Sequence, residues 1–156
     1  MPDREMPGAQ LRNVGGAVLG WVVMAVCVTG LMIGLFALLG PDRVFRPGGL
    51  EPTPAWLVAS IAIGLAAAVA GGAICAKVAS DRRGVLMLIA LVVVLGVADA
   101  LAQGPPPEVT APEVAGFLEA LGSARPPAWI PWLNPLLGAV GTLVGARVAG
   151  SQGDRR

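Results

Sequence analysis

Histidine and tyrosine are absent from this sequence of 156 residues, and charged residues make up only 13% of it. Without histidine, the chain lacks the commonest metal ligand and the usual residue for acid–base catalysis near neutral pH. The net charge of +1 provides no basic face for binding nucleic acid. We therefore expect no enzymatic activity, no metal or cofactor, and no nucleic-acid partner.

Cysteine is scarce as well, and its placement does not favour a disulfide. The two cysteines, Cys27 and Cys75, both fall in long apolar runs. They lie at different depths in those runs, whereas a disulfide needs Cα atoms within about 7 Å of each other. We interpret both as small apolar side chains that pack against neighbouring helices.

Long apolar runs take up most of the chain, and hydrophobic residues make up 55% of it. A soluble domain of this size buries only about two-thirds of its chain surface, so it could not hide that much apolar area. A membrane helix needs about 20 apolar residues, and four runs fit: 14–39, 55–76, 85–102 and 128–149. The sequence therefore predicts an all-α fold, an integral membrane four-helix bundle that forms one domain over residues 1–156.

Basic residues divide unequally between the two ends of the predicted helices. If both termini are cytoplasmic, eight of the 11 basic residues lie on the inner side and three on the outer side. The inner set is Arg4, Arg12, Lys77, Arg82, Arg83, Arg147, Arg155 and Arg156, and the outer set is Arg43, Arg46 and Arg125. Because Lys and Arg gather in cytoplasmic loops, we predict cytoplasmic termini and a location in the bacterial cytoplasmic (inner) membrane.

The connections between the predicted helices differ in character. The inner turn, SDRRG, is short, which predicts that the second and third helices are antiparallel neighbours. The first outer loop, GPDRVFRPGGLEPTP, is rich in Pro and Gly, which favours irregular structure.

The second outer loop carries a helix signal. Thr110 and Glu113 have the spacing of a capping box. Apolar residues then recur at helical intervals, at Val114, Phe117, Leu118 and Leu121. We predict a short amphipathic helix over about residues 111–121, lying on the outer membrane surface or over the mouth of the bundle. A partly ordered loop is the alternative.

Two of the predicted helices carry small residues at four-residue spacing and end in a similar motif. The second helix contains AVAGGAICAKVAS, and the fourth contains AVGTLVGARVAG. Small residues allow helix backbones to approach closely in lipid. We predict contact between these helices through Gly72, Ala76, Gly141 and Gly145. The first helix has two further pairs at the same spacing, Gly16 with Gly20 and Gly30 with Gly34.

Both helices also share their first and last residue types. Each begins with the tripeptide PAW, at Pro54–Trp56 and Pro127–Trp129, where proline starts a helix and tryptophan marks the outer interface. Each ends with a basic residue, Lys77 or Arg147, which suits a helix C-terminus at the cytoplasmic headgroups. The chain therefore consists of two helix pairs of the same sense, produced either by duplication or by convergence.

These stretches resemble a group of small uncharacterised four-helix bacterial membrane proteins. The matching residues are AGGAICAKVAS, a bulky third helix, and PAWIPWLNPLLGAVGTLVGARVAG. The group has a GG-x-x-A-[RK]-[IVL]-A ending on helix two and a GAR-[LV]-A ending on helix four. The resemblance spans roughly residues 54 to 150, and it implies the same four-helix topology without implying a particular chemistry.

One polar side chain on each predicted helix falls at a similar depth. Counted outward from the basic residue at each inner helix end, at about 1.5 Å per residue, Thr29 and Ser60 lie at roughly 25 Å, Asp99 near 24 Å and Asn134 near 20 Å. Because lipid leaves such groups poorly satisfied, we predict that Asp99 and Asn134 turn inward and meet directly or through water. A dry, closed cluster would be a packing device, and a wet cluster open to the outside would begin a permeation site.

The sequence is compatible with two functions for a non-catalytic membrane protein. The first is an accessory or scaffold subunit that packs in the lipid bilayer against a membrane-protein partner, or as a homo-oligomer, through its small-residue helix faces. The alternative is a small oligomeric transporter or channel that uses a polar site around Asp99 and Asn134.

Overall fold

A computed structural model describes residues 7–47, 51–103, 124 and 126–153 of the chain. Within these residues there are five helices: α1 (Pro7–Leu39), α2 (Pro41–Val44), α3 (Pro54–Val78), α4 (Arg82–Ala102) and α5 (Ile130–Gly153). The predicted all-α fold is confirmed, and α1, α3 and α4 are long and apolar enough to cross a membrane. The helix predicted at 111–121 lies outside the described residues.

The four long helices pack in a ring in which α1 contacts α3, α3 contacts α5, α5 contacts α4, and α4 contacts α1. Helices α3 and α4 lie across this ring and make much less contact with each other. The short turn leaves the two helices antiparallel, as the sequence predicts, but it does not make them each other's main neighbour in the ring. The reason is the placement of small residues, since Gly71 of α3 faces α1 and Gly72 faces α5, and the closest backbone approach follows such residues.

The longest contact in the ring is that between α3 and α5. Its closest pairs are Gly72 with Thr142, Gly141 with Ala68, and Gly145 with Val69. Residue numbers rise together along both helices in the last two pairs, so α3 and α5 run parallel. Ala76, which the sequence placed in the same contact, packs against a buried cluster that includes Cys75 and Leu88 and that Ala146 of α5 also contacts.

The glycines of α1 divide into two groups. A Cβ on Gly16 would lie 3.0 Å from the backbone nitrogen of Ala79, and one on Gly20 would lie 2.8 Å from the carbonyl oxygen of Gly71. These contacts make α1 antiparallel to α3. Gly30 and Gly34, in contrast, have nothing within 4 Å of a Cβ position, so this second pair takes no part in packing among the described residues.

Asn13 joins the helices at the end of the bundle where α1 begins and α3 and α5 finish, which we call the terminal end. Its side chain is 3% exposed, and its Oδ1 accepts hydrogen bonds from the backbone N–H groups of Ser80 at 2.9 Å and Asp81 at 3.3 Å. Its Nδ2 donates to the Asp81 carboxylate at 3.1 Å. That carboxylate also caps α4 by accepting from the backbone N–H of Arg83 at 2.7 Å. The turn between α3 and α4 is thereby held against α1.

The opposite end of the bundle, where α2 lies, is called the loop end. The segment between α1 and α3 is more regular there than the sequence predicted. Gly40 turns the chain from α1 into α2 with φ 72°, a conformation that favours glycine. The Thr53 hydroxyl donates to the carbonyl oxygen of Arg43 at 2.9 Å and accepts from the backbone N–H of Trp56 at 3.3 Å, which caps α3. Val44, Phe45 and Trp56 form a buried cluster. Val44 at the end of α2 and Phe45 directly after it therefore help to order a segment whose Pro and Gly content alone predicts irregular structure.

Candidate functional site

A cavity of about 1130 Å³ lies between α1, α3, α4 and α5 in the half of the bundle nearer the loop end. All four helices contribute to its lining, and Pro52, Ala124 and Pro126 border it at the loop end. Small-molecule sites have volumes of about 300–1,000 Å³. The cavity is therefore large enough to hold a small organic molecule.

The four polar residues that the sequence placed at one depth all line this cavity. They are Thr29 on α1, Ser60 on α3, Asp99 on α4 and Asn134 on α5. Thr29, Asp99 and Asn134 are exposed, and Ser60 is partly buried. The structure thus brings one polar side chain from each long helix to the border of the same cavity.

Asp99 has a nearer partner than the one predicted for it. The side-chain amide of Gln103 donates a hydrogen bond to Asp99 Oδ2 at 3.0 Å, and Gln103 also lines the cavity. Among the described residues, the Asp99 side chain has no direct hydrogen bond to Asn134, although α4 and α5 are in contact at this level through Gly96 and Pro135. Gln103 lies one helical turn from Asp99 on the same helix face. Sequence reasoning missed Gln103, although its four-residue spacing from Asp99 was a usable signal.

Tryptophan contributes more to the cavity than the sequence indicated. Trp21, Trp56 and Trp132 all line it, although Trp21 lies outside the two PAW tripeptides. Trp21 is 39% exposed and Trp132 is 50% exposed. Trp56 is 8% exposed because its ring packs edge-on against Phe36, with ring centroids 6.3 Å apart. Of the three lining tryptophans, Trp21 and Trp132 are therefore the two that keep substantial exposed surface.

Two prolines of α5, Pro131 and Pro135, line the cavity beside Asn134. Pro135 has no N–H to donate to the carbonyl oxygen of Pro131 four residues earlier, so that oxygen is left as an acceptor in the helix. Gly96 of α4 accommodates the proline ring, since a Cβ there would lie 2.9 Å from the Pro135 Cβ. This stretch of α5 therefore adds a backbone acceptor to the polar side chains of the site.

The bundle is closely packed on the side of the cavity nearer the terminal end. Ala17, Cys75, Val85 and Leu88 form a buried cluster there, with Cys75 and Leu88 fully buried. Thr142 is also fully buried, and its hydroxyl oxygen has no hydrogen-bond partner among the described residues. Both cysteines are free thiols. Close packing at this level separates the cavity from the terminal end.

Comparison with known protein families, with curated proteins and with solved structures finds no match to this chain.

Proposed function

We propose that this chain is a four-span protein of the bacterial inner membrane whose outward-facing cavity takes up a small molecule for transport. This proposal depends on two statements about the fold. The first is that α5 crosses the membrane together with α1, α3 and α4, and the second is that the loop end faces outward.

The fourth span is supported by the packing of α5. Asn134, Pro135 and Arg147 lower the hydropathy of this helix, and it is not among the three that qualify by length and composition. It nevertheless runs parallel to α3 through Gly141 and Gly145. A helix that lies along a membrane span at the same depth crosses the bilayer with it, and its polar residues then face protein rather than lipid.

The orientation is supported by the distribution of basic residues. Among the described residues, five lie at or near the terminal end and two at the loop end. The first group is Arg12, Lys77, Arg82, Arg83 and Arg147, and the second is Arg43 and Arg46. Because Lys and Arg concentrate on the cytoplasmic side, the terminal end is cytoplasmic and the cavity opens toward the outside.

The cavity is the single observation on which the proposed transport function depends. A packing device would be filled, since protein interiors are close-packed and contain few voids larger than a water molecule. A volume of about 1130 Å³ lined by Thr29, Ser60, Asp99 and Asn134 is instead typical of a binding site. Close packing toward the terminal end favours a transporter that opens alternately over a continuously open channel.

The small-residue faces support the role of accessory subunit less well, because Gly72, Gly141 and Gly145 are engaged within the bundle. One observation keeps that role as the second candidate. Gly30 and Gly34 have no neighbour within 4 Å of a Cβ position, and they lie one helical turn apart on α1. This face is available to a partner protein or to a second copy of the chain.

Cysteine labelling tests whether water reaches the cavity from outside. In a variant with Cys27 and Cys75 replaced by alanine, we expect Ser60→Cys in right-side-out membrane vesicles to react with an impermeant cationic methanethiosulfonate at least about tenfold faster than Val58→Cys, because the reacting species is the hydrated thiolate. Val58 is the matched control. It lies on the same helix two residues away and is 68% exposed, but it does not line the cavity. Equal rates at the two positions would contradict the proposal.

A further inference from the structure

We infer that the cavity binds a lipophilic organic cation, meaning a molecule with one positive charge surrounded by apolar groups. This inference rests on the proposed function and specifies the class of molecule that the site takes. It depends on the charge of the lining, its aromatic surface and its volume.

The charge of the lining favours a cation. Asp99 is the one ionisable side chain that borders the cavity among the described residues, and the group that it presents is acidic. Arg46, a basic residue of the loop end, is paired with Glu51 at 3.2 Å and does not line the cavity. Among the described lining residues, an anion would therefore meet a carboxylate and no basic group that could compensate it.

The Asp99 carboxylate is held in place by its neighbour. Its Oδ2 accepts the hydrogen bond from Gln103, and its Oδ1 has no partner among the described residues. One oxygen is thus fixed by a residue of the same helix, while the other is available to a ligand. This arrangement pre-orients the charge without neutralising it.

The aromatic and apolar surface of the cavity suits the rest of such a molecule. Trp21 and Trp132 line the cavity, and indole rings attract cations through their ring quadrupoles. Met24 and Met32 supply adaptable apolar contact. A small inorganic cation would need several oxygen ligands at close range. A cavity of about 1130 Å³ with a mainly apolar lining does not provide that shell, whereas an organic cation brings apolar groups that fill it.

Binding of tetraphenylphosphonium tests this inference, with triphenylphosphine oxide as the neutral probe of related shape. By isothermal titration calorimetry of the purified chain in mild detergent, we expect the cation to bind at least about tenfold more tightly than the neutral probe. Asp99→Asn should weaken binding of the cation about tenfold and leave the neutral probe within about twofold. Asp99→Glu should restore the preference, and Asp42→Asn, an exposed acid of α2 outside the cavity, should not alter it.

The possible failures are distinguishable. Equal binding of both probes, unaffected by Asp99→Asn, would overturn the inference about charge and leave the cavity as a binding site. Binding of neither probe would also overturn the inference, and the labelling of Ser60→Cys would then decide whether the proposed function survives. Restoration by Asp99→Glu separates loss of charge from loss of folding, because a misfolded protein would not recover a preference for the cation.

Discussion

The variant Gly72→Ala should lose at least about 3 kcal/mol of stability, at the upper end of the cost of overpacking. A single added methyl group at this position would overlap the backbone carbonyl oxygen of Thr142. A side chain can rotate away from such a contact, but a backbone carbonyl within a helix cannot move without shifting all of α5. The contact between α3 and α5 should therefore fail in this variant.

The matched control is Gly64→Ala, on the same helix. Gly64 has nothing within 4 Å of a Cβ position, so this substitution should be neutral or stabilise the chain by up to about 1 kcal/mol through helix propensity. Both variants can be compared with the wild type by thermal unfolding in detergent, followed by fluorescence-detected size exclusion. An unchanged midpoint for Gly72→Ala would show that α3 and α5 are farther apart than described.

The second large effect is expected at Trp56. Its side chain is 8% exposed, packs with Val44 and Phe45, and meets the ring of Phe36 edge-on. Trp56→Ala should destabilise the chain by about 3–5 kcal/mol, the usual cost of truncating a buried large aromatic residue. The loss would also release the segment that forms the loop end of the cavity.

The chain offers its own control, because Trp129 stands in the second PAW tripeptide. Trp129 is 55% exposed, so Trp129→Ala should change stability by less than about 1 kcal/mol. Thermal unfolding of the two variants under identical conditions checks the difference. Equal losses of stability in the two variants would contradict this prediction. They would mean that each tryptophan stabilises the start of its own helix, and that the burial of Trp56 is not the cause of its effect.

The positions of the apolar helices could be predicted from the sequence because the thickness of the bilayer sets the length of the run. The predicted runs 14–39, 55–76 and 85–102 fall within α1, α3 and α4. Helix α1 begins earlier, at Pro7, because a helix continues past its apolar run into the polar region of the headgroups. Asn13 lies in that extension, which is why its contacts with the turn after α3 were not predicted.

The arrangement of the helices was harder to predict than their positions. Glycine pairs occur on α1, α3 and α5, and the spacing alone does not say which face meets which. Gly20 and Gly72 are used in packing, while Gly30 and Gly34 are not. Helices α3 and α4 lie across the ring because Gly71 meets α1 while Gly72 meets α5. Adjacent residues in a helix always point about 100° apart, but the sequence does not say which neighbouring helix each of them meets.

The heights of the candidate site's residues along their helices could be predicted from the sequence, but the contacts between their side chains could not. A constant rise per residue placed Thr29, Ser60, Asp99 and Asn134 at similar heights, and the structure places all four around one cavity. The direction in which each side chain turns depends on local packing, which the rise per residue does not describe. In the structure the Asp99 carboxylate accepts a hydrogen bond from Gln103, one turn along the same helix.

The most direct test of the account is the side of the membrane on which α5 ends, because the fourth span places both termini in the cytoplasm and the cavity at the outer side. Alkaline phosphatase, which is active only outside the cytoplasm, can be fused to the C-terminus of the full chain. The account predicts an inactive fusion there, and an active one when the phosphatase is joined directly after Gln103, at the end of α4. Active phosphatase at the C-terminus would contradict the account, because α5 would then fail to cross the membrane or the whole bundle would be inverted.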